Sequence, residues 1–199
     1  MPAPDAPLEG LKRSMEGAVV VPRGGYSYIV SPLTDGIPFM EAEVLEEVID
    51  RMVEIADLDC DRLVAPEAMG IPLVVPLSLH TGIPYVVVRK RSYGLPGEVS
   101  VCQVTGYSTC QMYINGLREG DRVVLVDDIL STGGTLRSIV TALRSMGVEV
   151  VDTVVVLEKG DGRAALEREL GMCIKTLLRV DVLGGRVVTS APRPRISVP

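Results

Sequence analysis

The stretch Val123 to Leu136, VVLVDDILSTGGTL, brings together residue types that can do chemistry. A run of aliphatic residues, of the kind that fills a strand buried on both faces, ends in two adjacent carboxylates, Asp127 and Asp128. A loop of small residues follows, Ser131-Thr132-Gly133-Gly134-Thr135, and then a helical pattern begins. Glycines let a backbone approach a phosphate closely, and free N–H groups at a helix start favour an anion. Ser131, Thr132 and Thr135 add hydroxyl donors. The carboxylates just upstream suit a hydroxylated or cationic group, so a sugar phosphate with attached Mg²⁺ satisfies both ends at once. The loop has no P-loop lysine and is not G-x-G-x-x-G, which argues against nucleoside triphosphates and dinucleotides. Paired acids have no packing use in such a place, so a purely structural strand-to-helix turn is the weaker explanation.

The elements that must position this loop can be read from hydrophobic periodicity. Leu8, Leu11 and Met15 predict a short N-terminal helix, and Ala18–Val21 and Tyr26–Val30 a hairpin turned by Arg23-Gly24-Gly25. Ser31 to Pro38, with two prolines and an Asp-Gly pair, reads as loop. Glu41–Ala56 carries Leu45, Val48, Ile49, Met52 and Ile55 on one face and predicts a helix. Strands are then expected at Arg62–Ala65, Tyr85–Val88, Gln111–Ile114, Arg122–Val126, Val150–Leu157 and Ile174–Val182. Helices are expected at Ile71–His80, Thr135–Met146 and Ala164–Leu170, with Lys90–Ser108 as a long polar connection. Buried strands alternating with helices predict an α/β fold with a mostly parallel sheet. In such sheets ligands bind beyond the carboxyl ends of the strands, which is where the Asp-Asp pair and its loop fall.

VVLVDDILSTGGTL resembles the phosphoribosyl diphosphate (PRPP) motif of the type I phosphoribosyltransferases. The resemblance runs from about Leu8 to Asp181 and is nearest to archaeal-type hypoxanthine/guanine phosphoribosyltransferases, built on an adenine/xanthine-enzyme plan. It implies a central parallel sheet flanked by helices, with a small hood from about 18–38 and 172–190. The core would be about 40–170, in a single domain spanning 1–199 whose tail, 191–199, is loosely held. It also implies a pentosyltransferase of purine salvage that displaces diphosphate from PRPP by a purine nitrogen, with Mg²⁺. The expected protein is a cytoplasmic homodimer with PRPP and a purine base as its partners.

By the same resemblance Asp127 and Asp128 are catalytic and metal-facing groups on the ribose hydroxyls, and Ser131 to Thr135 (Thr132, Gly133 and Gly134 between them) hold the 5′-phosphate. Glu67, Ala68, Met69 and Gly70 lie where the family's diphosphate loop follows a strand, and Arg89, Lys90 and Arg91 would face the diphosphate. Tyr107 resembles the loop tyrosine that covers the reaction centre. Lys159 is placed like the lysine that reads the base in xanthine enzymes, and Thr34 and Tyr28, with Tyr26, lie in the hood beside the purine. The chain also departs from the family pattern. Gly106 stands where adenine enzymes carry a glutamate, Ser131 where the mammalian type carries an aspartate facing the purine, and Met69 where adenine enzymes carry an arginine. The proton of the purine N–H is therefore left to water, the substrate's own diphosphate or Glu98. Thr34 replaces the hood asparagine of xanthine enzymes, which favours hypoxanthine and guanine over xanthine. A donor lysine suits O6 of a 6-oxopurine and opposes the amino group of adenine.

The composition narrows the alternatives. The chain has 199 residues, a net charge of −6 and 47% hydrophobic residues, enough for a buried core and too acidic for a broad nucleic-acid face. Its four cysteines, Cys60, Cys102, Cys110 and Cys173, form no C-x-x-C pair, and there is a single histidine, His80. A zinc site or disulfide framework is not expected, and a reducing cytosol fits. Ala68 to Val88 carries no charge, but Pro72, Pro76 and Pro84 interrupt it, so it reads as strand, helix and strand in a core and not as a membrane span. A PRPP-sensing regulator on the same fold would be expected to add a helix-turn-helix domain, and the residues before Val21 are too few for one.

Overall fold

The computed structural model describes residues 8–104 and 109–194. The chain opens with α1 (Glu9–Glu16) and the hairpin β1 (Val19–Arg23) and β2 (Tyr26–Val30), which forms its own two-stranded sheet. The short helix α2 (Pro32–Asp35) and the longer α3 (Ala42–Ile55) follow. Next come β3 (Arg62–Pro66), α4 (Ile71–Thr81), β4 (Tyr85–Val88) and an antiparallel ribbon of β5 (Val99–Val104) and β6 (Thr109–Ile114). The chain continues through β7 (Arg122–Leu130), α5 (Gly134–Ser145), β8 (Glu149–Lys159) and α6 (Gly162–Leu170), then β9 (Lys175–Leu183) and β10 (Arg186–Ser190).

The central sheet has the order β10-β9-β8-β7-β3-β4. All neighbours pair in parallel except β9 and β10. Its two faces are covered by separate cores, because successive side chains along a strand point to opposite sides. Val124 and Val126 of β7 pack with Leu11 and Met15 of α1, Val48 and Met52 of α3, and Leu73 and Leu77 of α4. Val123 and Leu125 pack on the other side with Leu136, Ile139, Val140 and Leu143 of α5 and Leu166 of α6. The helices obey the spacing that makes one apolar stripe: in α5 the buried residues recur at intervals of three and four.

This arrangement creates a switch point. From β3 the chain moves outward to β4 through α4 on one face, and from β7 it moves the other way to β8 and β9 through α5 and α6 on the opposite face. The carboxyl ends of β3 and β7, adjacent in the sheet, therefore open into a crevice between diverging connections.

Three elements differ from the periodicity reading. Ser31–Pro38 is not all loop: Ser31 caps α2 by accepting from the Thr34 N–H, Pro32 opens it, and Gly36 ends it at φ 69°. Val99–Val104 lies within the expected polar connection but pairs with β6, which carries Met112 and Ile114 into the core. The chain also does not end its strands at Val182, because Gly184 and Gly185 take φ of 58° and 78° and turn it back into β10. That is the two-residue hairpin geometry glycine permits. The uncharged Ala68–Val88 segment is the loop, α4 and β4, and no described helix is long and apolar enough to cross a membrane.

Candidate functional site

A cleft of about 380 Å³ lies at the switch point, lined from five places in the chain. Asp127 to Thr135 come from the end of β7 and the start of α5, Pro66 to Met69 from the end of β3, and Lys159 from the end of β8. Tyr26, Tyr28, Ile29, Thr34 and Asp35 come from the N-terminal hairpin and α2, and Lys90 from the connection after β4.

The phosphate-sized end is built by backbone. Gly133 precedes α5 in the left-handed conformation, φ 78°, and as a glycine brings no side chain to cap the helix. A Cβ there would come within 2.8 Å of Leu166 Cδ2, so packing as well as φ reserves the position for glycine. The loop is held from behind by Gly162, where a Cβ would lie 2.0 Å from the Ser131 carbonyl oxygen. The start of α5 with its helix dipole and the hydroxyls of Ser131 and Thr132 make this end receptive to an anion.

The acidic end is the Asp127–Asp128 pair. Both side chains are buried, and Asp127 Oδ1 accepts the Asp128 N–H at 3.0 Å. Burial raises the Asp127 carboxyl well above its ordinary range, and the neighbouring charge of Asp128 adds to this. Burial likewise pushes Asp128 up to about 6, with a contribution from the charge of Asp35. Two carboxylates so placed accept a cation or sugar hydroxyls readily, because either restores the solvation they have lost. Among the described residues no group of three or more His, Cys, Asp or Glu side chains could hold a metal ion, so any cation here would complete its shell with substrate oxygens and water.

The remaining sequence-predicted residues are distributed as follows. Glu67, Ala68 and Met69 line the cleft, with a cis peptide between Glu67 and Ala68. Gly70 sits behind them, buried, where a Cβ would lie 2.6 Å from the Pro66 carbonyl oxygen. Lys90 lines the cleft, whereas Arg89 pairs with Glu67 at 2.9 Å and Arg91 is exposed, 5.9 Å from the Tyr93 ring centroid. Lys159 is buried: its ammonium lies 3.7 Å from the Tyr26 ring centroid and donates to the Ser27 carbonyl. Tyr26 reaches across to Ser131, hydroxyl to hydroxyl at 3.1 Å, tying the hairpin to the phosphate loop. Tyr28 donates to Asp35 Oδ1 at 2.8 Å. Thr34 is buried, and its hydroxyl lies 2.6 Å from Asp35 Oδ2. Tyr107 lies outside the described residues.

Glu98, one of three acceptors weighed for the purine proton, has another occupation. It accepts from Ser92 Oγ, the N–H groups of Tyr93 and Gly94, and Asn115 Nδ2, and the first two side-chain donors help hold its carboxyl down at about 2. A carboxylate that acidic is a poor base near neutrality. Asp35 is the cleft residue that periodicity and motif miss. The signal was present in Ser31-Pro32, an N-cap followed by proline at the first helical position, which places Asp35 at the end of a single turn.

A buried acid pair and an anion-receptive loop at the switch point of an α/β sheet define an enzyme that grips a phosphorylated, hydroxylated substrate. Residues 42–180 match the model of the phosphoribosyl transferase domain, and the chain belongs to that family. It is 51% identical over 179 residues to a hypoxanthine/guanine phosphoribosyltransferase of Methanocaldococcus infernus, covering 89% of this chain and 98% of that one. It is 48% identical, with the same coverage, to the protein of that name in Methanocaldococcus jannaschii. Its fold matches the crystal structure of an adenine phosphoribosyltransferase from Thermoanaerobacter pseudethanolicus with a TM-score of 0.71 and 26% identity, over 87% of this chain and 99% of that one.

Proposed function

We propose that this chain transfers the phosphoribosyl group of PRPP to hypoxanthine or guanine, giving IMP or GMP and diphosphate. The observation that carries the reading is one cleft holding both the glycine-led start of α5 next to Asp127 and Asp128, and a buried lysine, Lys159, facing the hairpin. The names of relatives about half identical over most of the chain support the choice of base.

In this account the N–H groups at the start of α5 and the hydroxyls of Ser131 and Thr132 bind the 5′-phosphate. Asp127 and Asp128 bind the ribose hydroxyls. The C1′–O bond to diphosphate breaks, the purine nitrogen bonds to C1′, and its proton passes to the departing diphosphate, the oxyanion beside the reacting carbon. Positive charge grows on the ribose ring as diphosphate leaves, and two preorganised buried carboxylates stabilise that charge more than they stabilise the neutral sugar. Lys90 lies on the side where the diphosphate accumulates charge. Lys159 donates to O6 of the base, and the rings of Tyr26 and Tyr28 border the purine plane. A two-carboxylate site of this kind fits Mg²⁺, which is bound through one or two carboxylates with substrate oxygens and would neutralise diphosphate charge.

The protein acts as a cytoplasmic homodimer in this reading. Arg91 is exposed and does not line its own cleft. Sedimentation at micromolar concentration is expected to give twice the 21.3 kDa chain mass.

The activity is tested by incubating the purified protein with PRPP, Mg²⁺ and hypoxanthine and separating the products. IMP is expected. Binding of PRPP with no nucleotide formed from hypoxanthine or from any other base tried would make the protein a sensor and not an enzyme.

A further inference from the structure

We infer that Asp35 reads the C2 edge of the base, accepting from N1–H and from the 2-amino group of guanine and rejecting the 2-carbonyl of xanthine. This rests on the base-and-PRPP reading above and adds to it the residue that separates one 6-oxopurine from another.

The geometry comes first. Asp35 ends α2 and lines the same cleft as Lys159, Tyr28 and Asp128. Three donors fix it there. Tyr28 donates to Oδ1 at 2.8 Å, while Oδ2 accepts from Thr34 Oγ1 at 2.6 Å and from the Ser31 N–H at 3.3 Å. Thr34 is buried, donates its N–H to Ser31 Oγ and gives its hydroxyl to Asp35. A carboxylate has about four lone-pair sites, so Oδ1 keeps acceptor capacity after Tyr28 has donated.

The chemistry then follows from complementarity. An ammonium and a carboxylate line one cleft, a donor and an acceptor for one ring. A 6-oxopurine offers them an acceptor at O6 and a donor at N1–H, and guanine adds a second donor at C2. Xanthine offers a carbonyl at C2 instead and is the more acidic base, so Asp35 meets an acceptor or an anion. An unpaired acceptor-to-acceptor contact in a desolvated site discriminates strongly, because neither group regains its lost water. Adenine reverses both features, with an amino group against Lys159 and a bare N1 against Asp35.

The test is kcat/KM for guanine, hypoxanthine and xanthine in the wild type and in Asp35→Asn, with KM for PRPP measured alongside. The amide keeps the size and one acceptor and turns the other oxygen into a donor. Guanine kcat/KM is expected to fall about tenfold or more and xanthine to rise, shifting the xanthine-to-guanine ratio by about a hundredfold. KM for PRPP is expected to stay within about twofold, as in a site where only the base edge has changed. A ratio unchanged in a variant that still binds PRPP normally overturns the role of Asp35. So does wild-type protein that converts xanthine as well as guanine, which needs no variant to fold. Wild type that converts none of the three overturns the base-and-PRPP reading itself, a different failure.

Discussion

Asp127 and Asp128 can be located in the sequence because two acids at the end of an aliphatic run have no use in packing, and the structure buries both at the mouth of the crevice. Their consequence is kinetic. Asp127→Asn removes charge that acts most on the cationic ribose ring, so kcat is expected to fall by about a hundredfold or more while KM for the base changes little. Unchanged kcat would remove Asp127 from the chemistry. The pair also predicts a pH dependence of stability without added cation. Asp128 rises from an ordinary 3.8 to about 6, so between those values the folded protein holds a proton that the unfolded chain has lost, and stability falls as pH rises. Asp128→Asn should remove much of a decline on the order of 3 kcal/mol between pH 4 and 7. Denaturant unfolding across that range checks it, and parallel curves for the two proteins would contradict it. Asp35, by contrast, was not legible as a site residue. Its neighbours Pro32 and Gly36 carry the composition of a loop, and the one-turn helix they bound has no periodicity to read. Lys159 is legible as a post-strand lysine but not as a buried one, since only the packing of β2 against the end of β8 covers it.

Elements fare by how much of their burial they owe to local pattern. β7, β8, α3 and α5 announce themselves because each buries a full face or both faces, and the spacing shows it. β5 does not, since it lies in a polar, glycine-bearing stretch and gains its place only by pairing with β6. β10 is an edge strand with three of its five residues exposed, and only the Gly184-Gly185 turn betrays it. The loop before α5 is the element on which binding most depends. Gly133→Ala meets both a positive φ and Leu166 Cδ2 at 2.8 Å. A loss of about 1–2 kcal/mol of stability is expected from the φ alone, with more if Leu166 cannot give way. KM for PRPP should rise about tenfold or more as the loop shifts, as expected when a binding geometry is displaced. Full PRPP affinity in this variant would show that the phosphate does not sit on this backbone.

At the scale of the whole molecule, the end of the sheet beside the base is fastened by a buried ionic network. Arg163 of α6 donates to Glu158 of β8 at 2.8 Å and to the backbone carbonyls of Arg193 and Pro194, at 2.8 and 3.1 Å. Arg179 of β9 adds a second contact to Glu158 at 3.2 Å, and Glu167 Oε1 lies 3.6 Å from Arg163. The described part of the C-terminal segment is thus anchored to the element that carries Lys159. Nothing in the sequence announces this, because its charges lie on three consecutive elements, β8, α6 and β9, that only the packing of the fold brings together. Arg163→Ala leaves buried Glu167 without its cation and Glu158 with Arg179 alone, and a loss of about 3–5 kcal/mol is expected in denaturant unfolding. A loss under about 1 kcal/mol would mean the network is solvated and not structural.

The central claim is that one cleft at the β3–β7 switch point joins PRPP to hypoxanthine and guanine. It is tested most directly by offering hypoxanthine, guanine, xanthine and adenine together, in excess over PRPP, with Mg²⁺. The account predicts that the PRPP is consumed into IMP and GMP, one diphosphate released for each nucleotide, with XMP and AMP as traces. AMP or XMP as the main product would contradict it.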